Sequence, residues 1–179
     1  MNNLVSDWIA VDTNVIQHLM DPEKNTCCHI HKLLERFIKD EISLLVDDKQ
    51  KITSQYSVKL QEYFKNKQER KEFKLLKSFF EYCLVNRKEE VPVNLSDNLM
   101  TAINKIVPEH KGADRFFVYV AFKKSRVLVT NDQKDIIDEG NKRGERRKKL
   151  LKSTKKYRPS DKQGKKSDIL TSKEAYNKL

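Results

Sequence analysis

The chain has 179 residues and a mass of 21.1 kDa, the size of one domain able to bury its own core. With 37% hydrophobic and 35% charged residues it is polar, yet its aliphatic and aromatic side chains are clustered enough to exclude a disordered chain. The formal charge of +11 lies in one segment: residues 142–166 hold thirteen Lys or Arg against Glu145 and Asp161, and the remainder is balanced. Clustered positive charge is the footprint of a polyanion binder, the alternative being a solvated lysine-rich loop.

The first residues lack the basic start and apolar stretch of a secretory leader, and no apolar run is long enough to span a bilayer, so no membrane association and a cytoplasmic location are expected. Trp8 to Val11 reads as a first buried strand, stopped by Asp12. Cys27, Cys28, His29 and His31 follow. Only Cys27 and His31 share a helix face, and a zinc site usually needs four ligands, so a structural role is expected. Cys83 completes the cysteines, which form neither a disulfide framework nor a CxxC pair and suit a reducing compartment.

Ile30, Leu33, Leu34, Phe37 and Ile38 form an apolar helical stripe, and Ile42 to Val46 a second strand ending at Asp47 and Asp48. Two further stripes follow, Tyr56, Leu60, Tyr63 and Phe64, then Phe73, Leu76, Phe79, Phe80 and Cys83. Leu99, Ile103, Ile106 and Val107 follow Ser96 as an N-cap. Ala113, Phe117, Val120 and Ala121 mark a helix beginning near Gly112, and Val127 to Val129 a third strand. Gly140 to Gly164, which carries the basic run, reads as an exposed helix fraying into a mobile loop. Asp168 to Leu170 is a last short strand, and Thr171 or Ser172 caps a terminal helix through Leu179. This alternation predicts a single domain over residues 1–179, a three-layer α/β/α fold with a central, mainly parallel sheet of about four to five strands.

In such a sheet, functional groups collect beyond the carboxyl ends of the strands. Asp12, Asp47 with Asp48, and Asp132 stand there, and Asp114 opens the helix that leads into the third strand. Carboxylates gathered at one edge repel one another and lose hydration, which a cation offsets. Oxygen ligands suit Mg2+ or Mn2+, which can hold a phosphate and activate water. Each Asp taken singly also reads as a helix cap or turn residue.

The segments Trp8-Ile-Ala-Val-Asp-Thr-Asn-Val-Ile16, Gly112-Ala-Asp-Arg-Phe-Phe-Val-Tyr-Val-Ala121 and Val127-Leu-Val-Thr-Asn-Asp132 resemble the first, third and fourth acidic motifs of PIN-domain ribonucleases, in an order and spacing that cover most of residues 8–137. The resemblance implies a metal-dependent endoribonuclease with Asp12, Asp114 and Asp132 as metal ligands, Asn14 and Thr130 as polar supports and Asn131 as a further one. It departs at the second motif, where the family's pattern would carry Glu just before Tyr56 and this chain has Gln55. An amide oxygen can ligate a metal or hydrogen-bond a metal water, but it brings no charge and no base. Either Asp47 or Asp48 substitutes, or the chain is a weakened or inactive member, or the glutamine is an introduced change. The same resemblance implies a homodimer and, for some roles of such domains, an antitoxin or other protein regulator.

Arg146, Arg147, Lys148, Lys149, Lys152, Lys155, Lys156, Tyr157 and Arg158 are the expected RNA contacts. Phe79-Phe80 and Phe116-Phe117 fall on apolar faces and are expected in the core rather than as base platforms; His18 and His110 have no partner pattern. Two other function classes compete. One is a non-catalytic RNA- or partner-binding module on the same fold. The other is a phosphatase with an Asp nucleophile, which needs a second Asp two residues after Asp12, where Asn14 stands.

Overall fold

The strands of the computed structural model coincide with short aliphatic runs that stop at an acid or a turn, with one exception. Residues 8–20, 27–39, 42–65, 71–109, 112–124, 126–138, 142, 144–158 and 167–178 are described. Strand β1 (Trp8–Val11) leads into α1 (Thr13–Met20) and α2 (Cys27–Lys39), and β2 (Ser43–Asp47) into α3 (Lys51–Lys65) and α4 (Lys71–Phe80). Strand β3 (Lys88–Val91) precedes α5 (Asn98–Asn104) and α6 (Gly112–Lys123). Strand β4 (Val127–Val129) precedes α7 (Glu145–Thr154), and β5 (Asp168–Leu170) precedes α8 (Ser172–Lys178).

The sheet order is β3-β2-β1-β4-β5 and every neighbouring pair is parallel. Helices α1, α2, α4 and α8 pack among themselves, as do α3, α5, α6 and α7, which gives a three-layer α/β/α architecture. Central β1 sets Ile9 beside both Leu44 and Val127, and Ile9, Ala10 and Val11 are wholly buried because helices cover both faces.

The apolar stripes face inward: Ile30, Leu33, Leu34 and Phe37 from α2 and Leu76 and Phe79 from α4 are fully buried, and Phe80 is nearly so. Phe37 meets Phe79 edge-on at 5.5 Å, and Tyr56 sits between Phe80 and Phe117 at 5.1 and 5.9 Å. Truncating a ring such as Phe79 to Ala would cost about 3–5 kcal/mol. The side chains of Tyr63, Phe64 and Phe73 lie outside the described residues, as do His110 and residues 159–166 of the basic segment. A π-helical turn, Glu81–Asn86, continues α4 and keeps Cys83 in the core, where burial pushes its thiol up to about 12 and leaves it unreactive.

Several details differ from the sequence reading. Strand β3 has no apolar run: Lys88 and Glu90 are exposed and only Val91 is buried, the pattern of a charged edge strand. Strand β2 is shifted by one residue and ends on Asp47 itself. The N-cap of α5 is Asp97, whose carboxylate accepts the Leu99 amide at 2.8 Å, while the Ser96 amide donates to the Asn94 side chain in a local turn. At α8, Thr171 Oγ1 accepts the Glu174 amide at 3.1 Å and Glu174 Oε2 accepts the Thr171 amide at 2.8 Å, a reciprocal capping box. Among the described residues, no helix is long and apolar enough to cross a membrane.

Candidate functional site

Asp12 leaves the central strand at its carboxyl end, where its own amide still donates to Val129 O of β4 at 2.9 Å. Its carboxylate is buried and held on both oxygens. Oδ1 accepts the Thr13 hydroxyl at 3.3 Å and the Asn14 amide at 3.2 Å. Oδ2 accepts Asn14 Nδ2 and the Thr130 hydroxyl, each at 2.8 Å. Asn14 Oδ1 in turn accepts the Asn131 amide at 2.8 Å, and Thr130 Oγ1 accepts the Asp132 amide at 3.0 Å. The start of α1 and the segment after β4 are thus stitched together around one carboxylate.

Burial pushes Asp12 up to about 6, the negative charge of Asp132 adds to that rise, and the hydrogen bonds from Thr130, Asn14 and Thr13 oppose it. Asp132 is half-buried, and the chain leaves it in a π-helical turn, Gln133–Ile137, with the Ile137 amide on Asp132 O at 3.1 Å. Asp114 stands half-buried in the first turn of α6, where the helix dipole favours a negative charge, and α6 packs on β1, β2 and β4.

Among the described residues, no three His, Cys, Asp or Glu side chains gather closely enough to hold an ion between them. Asp12 and Asp132 do act on each other electrostatically. A magnesium-type cation keeps most of its waters and can be held by one or two carboxylates, and since Asp12 already accepts four hydrogen bonds, a cation beside it would be met through a water or would displace one of those donors.

Asp47 is employed otherwise. Its Oδ2 accepts the Lys51 amide at 2.9 Å and its Oδ1 the Ile52 amide at 2.7 Å, which satisfies the opening donors of α3. Gln50, at the left-handed φ of 59°, makes the tight turn that brings those amides back to it. Asp48 is exposed and accepts the Val93 amide at 2.9 Å. Gln55 is half-buried on α3, and no described residue is hydrogen-bonded to its side-chain amide. The next residue, Tyr56, is wholly buried and donates its hydroxyl to Val11 O, the carbonyl just before Asp12; burial and the Asp12 charge hold that phenol well above its usual pKa. Tyr56 and Thr13 carry no signal of this role in the sequence: Tyr56 reads as one member of an apolar stripe, and Thr13 is hidden between two more telling neighbours.

Asn131 faces another task than supporting Asp12 with its side chain. Its Oδ1 accepts the Ser172 amide at 3.0 Å, joining the end of β4 to α8. Among the soft-ligand candidates, His31 pairs with Glu35 at 3.5 Å and His29 packs edge-on against Tyr176 at 5.7 Å, both structural contacts. Phe117 is buried and Phe116 packs against the core, as expected.

The basic segment divides by residue type. Arg147 donates to Ile169 O at 3.1 Å and to Glu174 at 2.8 Å. Arg158 donates to Leu151 O at 2.9 Å and to Ser167 O at 3.3 Å and lies over the Phe122 ring, while Arg146 reaches Lys134 O at 3.3 Å. Tyr157 is half-buried against the core with Lys156 over its ring. Lys148, Lys149, Lys152, Lys155 and Lys156 are exposed. Comparison with protein-family models, with curated proteins and with solved structures finds no match to this chain.

Proposed function

We propose that the chain is a metal-dependent endoribonuclease of PIN-like type, hydrolysing RNA phosphodiesters at the carboxyl edge of β1 and β4. The observation that carries this reading is Asp12, buried, fixed through Thr130 and Asn14, and set against the charge of Asp132. A buried acid that also feels the charge of a second acid is an expected part of a cation site. Asp12 and Asp132 would hold Mg2+ or Mn2+ through its waters; Asp114, at the head of α6, is the third ligand that the resemblance implies, and it does not gather with them closely enough to share one ion. Bound there, such a cation supplies a Lewis acid for the phosphoryl oxygen and a water of lowered pKa.

The chain's own residues prepare that chemistry. Asp12 is ionised above about pH 6 and is kept in one orientation by four donors. Thr130 couples it to the backbone of Asp132, so the two acid-bearing segments are tied together. The lysines of α7 supply positive charge for substrate. A cytoplasmic setting, a homodimer and a protein regulator such as an antitoxin belong to the same reading.

A second reading is a non-catalytic RNA- or partner-binding module, and Gln55 favours it, since α3 offers an amide where a carboxylate is expected. Incubation with structured and single-stranded RNA, with Mg2+, with Mn2+ and with EDTA, separates the two. Nuclease function predicts cleavage that needs metal, is lost in Asp12→Asn and rises in Gln55→Glu. Intact RNA under every condition, with Gln55→Glu as with the parent chain, sinks the enzymatic reading and leaves the binding module.

A further inference from the structure

Helix α7 and the 3-10 turn that continues it, Lys155–Tyr157, sort their charges by face. Leu150 and Thr154 are buried, and Arg147 and Arg158 turn toward backbone carbonyls of neighbouring segments. Lys148, Lys149, Lys152, Lys155 and Lys156 are exposed, at the three- and four-residue spacing that aligns side chains along one helix face. At about 1.5 Å rise per residue the row is on the order of 12 Å long. Its near end is anchored beside the candidate site: Arg146 donates to Lys134 O in the turn that follows Asp132, and α7 packs on that turn.

We infer that this lysine row, and not Arg147 or Arg158 of the same segment, grips the sugar-phosphate backbone of RNA without reading its bases. The inference rests on the proposed RNA substrate and names the part of the chain that holds it. Arginine is the residue suited to bidentate recognition of base edges and phosphates, and here the guanidinium groups of Arg147 and Arg158 are spent on internal carbonyls. Lysine ammonium groups are point charges on flexible stems, fitted to phosphate contact that is independent of sequence, and contacts they make here, such as Lys148 with Glu145 at 3.1 Å and Lys156 over the Tyr157 ring, are at the surface. An acidic membrane is the poorer match. A helix lying on a bilayer needs a free apolar face, and among the described residues the exposed large hydrophobics, Val58, Val85 and Leu95, lie outside this helix.

The test uses the full chain in EDTA, so that binding is read without metal-dependent cleavage. Fluorescence anisotropy with short single-stranded RNAs of uridine, adenosine and mixed sequence is measured across a salt series, beside vesicles of phosphatidylserine. Equal affinity for the three RNAs is expected. The combined change Lys148→Gln, Lys152→Gln, Lys155→Gln and Lys156→Gln should weaken all of them by at least about tenfold and flatten the salt dependence by about 0.7 per lost phosphate contact. Unchanged affinity and slope in that variant overturn the inference, as do a strong preference among the RNAs or binding to vesicles alone. Lysine-dependent binding with no cleavage in Mg2+ or Mn2+ would remove the nuclease reading and leave the row standing.

Discussion

The Thr130 hydroxyl donates to Asp12 Oδ2 at 2.8 Å and accepts the Asp132 amide at 3.0 Å, so one oxygen atom links the two carboxylate-bearing segments. Thr130→Val keeps the shape and removes both bonds. Because Asp12 is buried, the loss should destabilise the fold by about 1–3 kcal/mol, read as a shift in the urea midpoint. Part of that loss should vanish in acid, where Asp12 is protonated and needs fewer donors, and Thr130→Ser should restore most of it. Equal destabilisation in acid and in mild alkali would mean that the hydroxyl matters only to the Asp132 amide.

The raised pKa of Asp12 carries a stability signature of its own. An acid whose folded pKa lies above its unfolded value binds more protons folded than unfolded between the two, so stability falls as pH rises through that window. Here the window runs from 3.8 to about 6. The fall should approach about 3 kcal/mol at most, from about 1.4 kcal/mol per unit, spread over the pH dependence of the thermal midpoint. Asp12→Asn should flatten that segment of the curve. Added Mg2+ should raise the midpoint of the parent chain above pH 6 and leave Asp12→Asn unmoved.

What the sequence made visible, and what it hid, follows from where each residue sits. Strands β1 and β4 are covered on both faces and appear as unbroken apolar runs, whereas edge strand β3 carries Lys88, Glu89 and Glu90 and has no such run. Asp12, Asn14 and Thr130 were legible because they follow strands that were themselves legible. Asp47 follows a strand equally plain, but an Asp at a strand end caps a helix as readily as it binds a cation, and only the positions of the Lys51 and Ile52 amides reveal which task is in hand. Counting charge made Arg147 and Lys152 equivalent, although one is tied into the fold and the other is exposed.

Asp47→Ala should therefore act on stability. It strips two amides at the start of α3 of their acceptor, for a cost of about 1–2 kcal/mol. Asp47→Asn, which retains one oxygen, should lose less. Isothermal titration with Mn2+ should give the same affinity for Asp47→Asn as for the parent chain, whereas a tenfold or larger drop, about 1.4 kcal/mol, would assign Asp47 to the cation instead.

Arg147 provides the contrasting case within the basic segment. Its guanidinium joins α7 to Ile169 O of β5 and to Glu174 of α8, with the ion pair at 2.8 Å and the two side chains 28% and 40% exposed. Burial tends to raise the Glu174 carboxyl, but the Thr171 amide and Arg147 outweigh it and hold it below the usual carboxylate range. The stabilisation from this pair is present above that range and lost as pH falls through the lowered value. Arg147→Ala should cost about 1–2 kcal/mol at neutral pH, discounted for the exposure of the pair. Lys152→Ala, on the open face, should stay within about 0.5 kcal/mol. Glu174→Ala combined with Arg147→Ala should fall short of the sum of the two single losses, since each removes the same contact. Additive losses in that cycle, measured by chemical denaturation, would show that Arg147 acts on the fold through Ile169 O alone.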